Sequence, residues 1–412
     1  MPGNWNIDVN SIERFVARHK VLLCVAMLLL LLGLVGKSTP QRIYDERWHL
    51  DRADQLVRGR PVGEVFTEPT PSAVGPVYAI IHATIIQVVG DDVRLSRTAT
   101  ALSLVGCIVW VGLLLRREGC PAFCALTLLA ASPLVVSSLM ALTETPAVTF
   151  ALAAFGILRL WEFDRHAGWF ALVVAAGFMA LAVLTRQSTA SLLPALALVL
   201  YQRKRATPAG LAIVAGLPAG ALLLLMALWG GLIPPGQEHM ATSPARFGRH
   251  LLEASIYCAV MAFLINPVRF LRWPVFASAG TAATFNLFFG WLSYPVLRTV
   301  FPDEGGVSEI FRRLFWGAGL GIAVAYFMTQ AYLAARNTRQ MGYLLAVVLT
   351  ALSCGFIGAS FTSRYVVAAI PFIALLAYAG RQPTRGEFIG GALGIGAGLM
   401  LSLNSLWNYG YW

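Results

Sequence analysis

Asp45 and Glu46 stand side by side in Tyr44-Asp45-Glu46-Arg47-Trp48-His49, shortly after the first long apolar run of the chain. An acid pair next to a membrane helix is costly unless it faces water or a polar site. The structural alternative is a solvated loop that mixes acids and bases. A second acid, Glu144, falls in Leu142-Thr143-Glu144-Thr145-Pro146, at a turn between two apolar stretches. There it either serves the helix dipole, with Thr143 as cap, or faces the first pair across a cavity. Arg186, in Leu184-Thr185-Arg186-Gln187-Ser188, and Arg364, in Ser363-Arg364-Tyr365, each begin an apolar helix. Such a cation can snorkel to headgroups or hold a phosphate with its planar fork. Arginines and carboxylates at helix mouths together describe an anionic lipid headgroup held beside a general base.

The elements that must position these groups are membrane helices. Of 412 residues, 58% are hydrophobic and 12% charged, against about a quarter charged in soluble domains. The net charge of +11 comes from short basic clusters between apolar runs, which argues against nucleic acid as a partner. Cys24, Cys107, Cys120, Cys124, Cys258 and Cys354 show neither metal-ligand nor disulfide spacing. Apolar runs predict an all-α polytopic membrane protein, residues 1–412 forming one integral-membrane domain. About thirteen spans are expected, near 21–35, 95–115, 121–139, 147–161, 168–184, 188–201, 209–230, 252–267, 274–292, 315–333, 341–359, 365–380 and 387–404. The first is read as a retained span, since no convincing cleavage site follows it.

The first outer loop, 37–93, is expected to hold an amphipathic helix over 45–58, with Trp48 and Leu56 on its apolar face. An interfacial helix with Pro76 and His82 follows over 74–89. Basic residues at 116–117, 159–165, 203–205, 269–272, 336–339 and 381–385 alternate with loops that lack them, Arg186 being the exception among short loops. By the positive-inside rule the amino end is cytoplasmic. Asp45, Glu46, His49, Glu68, Glu144, Arg186, Gln187, Glu238, His239 and Arg364 then share the outer side.

In this order the motifs resemble polytopic glycosyltransferases of the GT-C type, which use polyprenyl-phosphate sugars. The nearer resemblance is to the dolichol-pathway terminal α-1,2-glucosyltransferase family. It lies in Asp45-Glu46 followed by His49, the Thr143-Glu144 turn, Arg186-Gln187-Ser188, Gly230-Gly231 with Gln237-Glu238-His239, and Arg364-Tyr365. The chain departs from that family's pattern in three places: Glu68-Pro69 stands for its Asp-Pro, Ser72-Ala73-Val74-Gly75-Pro76 for its Thr-Thr-x-Pro-Gly, and the acid after the Gly pair is displaced.

The resemblance implies transfer of a hexose, glucose first and mannose second, from a polyprenyl or dolichyl phosphate to a hydroxyl of a lipid-linked or other extracytoplasmic glycan. The anomeric centre is inverted and Asp45 is the general base, a role a weakly nucleophilic hydroxyl requires. Arg186 or Arg364 stabilises the departing phosphate. Glu46, Glu144 and His49 orient the acceptor or bind a divalent ion; oxygen ligands suit magnesium or manganese, although no complete ligand set is visible. His49, Glu68, Gln187, Glu238, His239 and Tyr365 complete the expected binding site. The membrane implied is a bacterial inner membrane, or that of the endoplasmic reticulum in a eukaryote. The alternative is a lipid or polysaccharide transporter, which would more often show internal repeats and mid-span charges; the sequence has neither. A non-enzymatic anchoring protein has no positive support.

Overall fold

Over the described residues, each apolar run anticipated from the sequence falls mainly on helix in the computed structural model, which describes residues 18, 25–69, 74–161, 167–202, 207–237, 243–271, 273–290, 306–357 and 362–412. In chain order the helices are α1 (Val25–Gly36), α2 (Glu46–Val57), α3 (Val62–Thr67), α4 (Pro76–Val89), α5 (Val93–Arg117), α6 (Ser132–Leu139), α7 (Glu144–Leu160), α8 (Ala167–Thr185) and α9 (Leu193–Gln202). They continue as α10 (Pro208–Trp229), α11 (Pro244–Ile265), α12 (Pro267–Phe270), α13 (Trp273–Phe289), α14 (Gly306–Arg336), α15 (Thr338–Gly355), α16 (Ile370–Tyr378) and α17 (Arg385–Asn408). No strand occurs among the described residues. The fold is all-α.

Six helices, α5, α8, α10, α11, α14 and α17, are long and apolar enough to cross a membrane. The 3-10 segment Ala122–Ala130 and α6 form a pair bent by 83°, a seventh if counted as one span. Ser132-Pro133 opens α6, and Pro133 cannot donate the hydrogen bond that would carry the preceding turns straight through. The other runs counted toward thirteen fold as shorter, broken or less apolar helices.

Two of the breaks fall at the expected arginines. Arg186 is extended (φ −154°, ψ 113°) and is followed by the 3-10 turns Gln187–Leu192 leading into α9. Arg364 lies in the 3-10 segment Ser363–Ala369 that leads into α16. A 3-10 turn rises about 2.0 Å per residue, so these mouths are narrow and re-aim their first side chains. Helix α7 is buried on nearly every face, with Ala147, Ala151, Ala153, Ala154 and Gly156 among its buried residues. Small residues let neighbouring backbones approach closely. Helix α10, by contrast, leaves Leu217, Leu223 and Leu224 exposed, as a lipid-facing helix does.

The basic loops gather at one end of this bundle. Arg159 donates to the Gln202 side chain (2.8 Å) and the Arg339 carbonyl (2.7 Å). The Gly380 amide donates to Glu118 (3.0 Å), and Arg269 to the Ala377 carbonyl (2.6 Å). Helix α7 leads from that end to Glu144, and the 3-10 segment Ser363–Ala369 followed by α16 connects Arg364 to it, so Glu144 and Arg364 lie away from the basic loops.

Helix α2 forms where expected, but with a different buried face. Trp48 is exposed, with the Arg47 guanidinium 5.7 Å from its ring. The buried residues are Glu46, His49, Leu50, Arg52 and Ala53. This face is polar because it meets polar partners rather than lipid: Arg52 donates to the Glu68 carbonyl (2.8 Å) and Glu46 is bound by Arg97. Helix α4 buries Tyr78 and His82 against it and exposes Ile80, Val88 and Val89.

Candidate active site

Tyr44 is the only described non-glycine residue with a left-handed backbone (φ 49°). Such a conformation persists only where surroundings enforce it. Here the Tyr44 ring packs on Tyr409 (centroids 4.7 Å apart), and the Arg364 guanidinium lies 5.4 Å from it. The turn delivers Asp45 at the N-cap of α2 with its side chain unused for capping. That carboxylate meets Arg364 instead, with Nη1 and Oδ2 2.5 Å apart.

Arg364 also approaches Glu144, Nε to Oε1 3.6 Å, and Arg186 reaches the same oxygen at 3.1 Å. The Arg186 Nη1 donates to the Thr143 hydroxyl (2.7 Å), so Thr143 braces the arginine and does not cap α7 with its side chain. Asp45, Arg364, Glu144 and Arg186 thus alternate in sign across the mouths of α2, α7, α9 and α16. Glu144 is 4% exposed, yet neither of its oxygens accepts a hydrogen bond. A buried carboxylate without a hydrogen bond is uncommon and keeps its acceptor capacity open. Asp45 and Arg364 keep side-chain exposures of 26% and 18%, so the ladder is reachable from one side. Beside it lies a cavity of about 70 Å³ lined by Tyr44, Ser137, Thr362, Arg364, Ser405 and Tyr409 among others.

His49 comes up one turn after Asp45, 4% exposed, with Nδ1 unpartnered. Burial lowers its pKa to about 4; Glu144 opposes the shift and the two arginines add to it. The imidazole is therefore neutral near pH 7. It lies edge-on to Tyr78 (6.0 Å), which stacks on His82 (4.2 Å). Burial also raises the Tyr44 pKa, keeping that phenol protonated.

Glu46 corrects the expectation that both acids of the pair act on substrate. It is 0% exposed and accepts from Arg97 Nε (2.8 Å) and Nη2 (2.6 Å), the Ile43 amide (2.9 Å) and the Ala141 amide (2.9 Å). Four donors fill a carboxylate's capacity, which leaves nothing for a substrate. Glu68 also sits apart from the ladder: it pairs with Arg60 across the α3 loop, and that hydrogen bond lowers its pKa. Gln187 follows Arg186 with a buried, unpartnered Oε1, and Tyr365 packs 5.6 Å from the Arg364 guanidinium. Glu238 and His239 lie outside the described residues. Among the described residues no group of three or more His, Cys, Asp or Glu side chains could hold a metal ion.

Sequence reading missed Arg97. An arginine early in a strongly apolar run was the available signal. Besides Glu46 it bonds the Ser38 hydroxyl (2.8 Å) and the carbonyls of Thr39 (2.6 Å) and Gln41 (2.9 Å), and it lies 4.8 Å from the Tyr411 ring. Gly75 has a structural role that its motif does not signal. A Cβ there would stand 1.9 Å from the Leu184 carbonyl oxygen, and its amide donates to Thr185 (3.2 Å). The outer loop is thereby pinned to the end of α8, next to Arg186.

No protein-family model matches the chain, and no curated protein does. Among solved structures it is similar to ArnT from Cupriavidus metallidurans, in the apo state at 14% identity and bound to undecaprenyl phosphate at 15%. Both have a TM-score of 0.44 and cover 88% of this chain and 78% of that one.

Proposed function

We propose that this chain is a GT-C type membrane glycosyltransferase that moves a sugar from a polyprenyl-phosphate donor to a hydroxyl acceptor on the extracytoplasmic side. The observation that carries the reading is the ladder Asp45–Arg364–Glu144–Arg186, assembled from four distant segments at the end of the bundle away from the basic loops. A lipid donor fits it geometrically, because the prenyl tail stays among helices while the phosphate rests at their mouths. The motif resemblance favours glucose as the sugar and a lipid-linked glycan as the acceptor.

In this reading the acceptor hydroxyl attacks the anomeric carbon and gives its proton to Asp45. The bond from that carbon to the phosphate oxygen breaks on the opposite face, so the centre inverts. The leaving polyprenyl phosphate gains a negative charge as it departs. Arg364 and Arg186 answer that charge, and such fixed cations act most strongly where water is excluded. Glu144 holds both guanidiniums in place, and neutral His49 offers the acceptor a hydrogen-bond partner. Glu46 positions Asp45 through the backbone.

Reconstitution in liposomes tests this. The purified chain is given polyprenyl-phosphate glucose, polyprenyl-phosphate mannose or a nucleotide-diphosphate glucose, with a lipid-linked glycan acceptor. Transfer from a lipid donor is expected. Transfer from the nucleotide sugar alone overturns the reading.

A further inference from the structure

A cavity of about 150 Å³ opens between α11, α12, α13, α14 and α16, at the end of α16 remote from Arg364. A cavity needs only roughly 10–15 Å³ to hold one water, so this one admits several non-hydrogen atoms. Ala262, Phe270, Val275 and Ile373 make apolar walls. Tyr326 and Gln330, one turn apart on α14, also line it. They are 5% and 6% exposed, and neither the Tyr326 hydroxyl nor the Gln330 Oε1 has a hydrogen-bond partner. Residues four apart share a helix face, so the two orphans address one spot.

Two polar neighbours already have partners of their own. The Asn266 side chain accepts from the Arg269 amide (3.1 Å), and the Arg269 guanidinium donates to the carbonyls of Leu376 (3.2 Å) and Ala377 (2.6 Å). Buried polar groups are almost always bonded, and an orphan pair in a roomy cavity marks a missing partner. A phenol O–H donates and an amide oxygen accepts. One hydroxyl answers both at once, and the apolar walls call for a hydrocarbon attached to it. Water alone would leave those walls wetted.

We propose that this cavity is a second binding site, which takes the hydroxyl end of a long-chain membrane amphiphile at the opposite end of the bundle from the transferase site. Its occupant is a neutral alcohol, either a free long-chain alcohol or the glycerol hydroxyl of a diacylglycerol. This goes beyond sugar transfer and does not depend on it.

The test uses the full chain purified in a detergent without hydroxyl groups and labelled with a diazirine-bearing hexadecanol. Unlabelled hexadecanol, dioleoylglycerol and hexadecyl methyl ether compete. The ether can accept from Tyr326 but has no hydrogen for Gln330. Saturable labelling of peptides containing 262–275 or 326–330 is expected, with the alcohol competing about tenfold better than the ether, the worth of one ordinary hydrogen bond. Tyr326→Phe and Gln330→Leu should each weaken labelling to a similar degree. Tyr326→Phe should keep or raise the melting temperature, because it removes an orphaned hydroxyl. The better competitor of hexadecanol and dioleoylglycerol identifies the source. Labelling that does not saturate, or that the ether blocks equally and both variants leave unchanged, overturns the proposal.

Discussion

Glu46 and Glu144 are both buried carboxylates facing arginine at the same end of the bundle, and they are built in opposite ways. Glu46 receives four hydrogen bonds, two from Arg97 and two from backbone amides, and neither partner is exposed. Glu144 faces two guanidiniums at 3.1 and 3.6 Å and accepts a hydrogen bond from neither. A saturated network rigidifies its surroundings, whereas an unsaturated one keeps capacity for something that arrives later. Arg97 and Glu46 tie α5, the loop before α2, the turn at Ala141 and the carboxyl-terminal Tyr411 into one knot. Asp45 is the next residue along and inherits that rigidity. The resulting division makes Glu46 a support and, under the proposed function, leaves the chemistry to Asp45.

The largest expected effect comes from breaking the knot. Arg97→Ala strands a buried carboxylate, and losing one member of a buried pair costs about 3–5 kcal/mol. Thermal unfolding in detergent should show a much lower midpoint, with transfer lost alongside it. A midpoint within a degree of the parent would remove the distinction between the two clusters.

Next comes Asp45→Asn, which should leave the unfolding midpoint nearly unchanged. Turnover should fall by roughly 10²–10⁴-fold, as for loss of a general base. Arg364→Lys should be milder, since lysine keeps the charge but cannot fork between Asp45 and Glu144. Steady-state kinetics in liposomes checks both. Full activity in the asparagine variant would move the base to Glu144.

The smallest effect is a pH dependence that His49 should confer. Its folded pKa of about 4 lies below the ordinary 6.5. As pH falls from 6.5 the unfolded chain takes up this proton first. The contribution is therefore whole above about 6.5 and is lost as pH drops toward 4, up to roughly 3 kcal/mol. Unfolding midpoints from pH 7.5 to 4.5 should fall less steeply in His49→Gln than in the parent. Parallel curves would show that His49 is more open to solvent than the fold implies.

Much of the architecture is legible in the sequence. Apolar runs separated by basic clusters mark where helices lie, because unsatisfied backbone cannot lie in lipid, but the breaks inside 121–139, 188–201 and 365–380 are not visible in them. Asp45, Glu144, Arg186 and Arg364 could be singled out for the same reason: a charge at a helix mouth is expensive and calls for an explanation. That these four meet was decided only by tertiary structure. Nothing local to 45, 144, 186 and 364 encodes distances of 2.5 to 3.6 Å, which depend on how α2, α7, α9 and α16 pack. The separate fates of Asp45 and Glu46 were equally hidden. Adjacent helical residues point about 100° apart, and only the presence of Arg97 on one side turns one carboxylate into a strut and leaves the other to pair with Arg364.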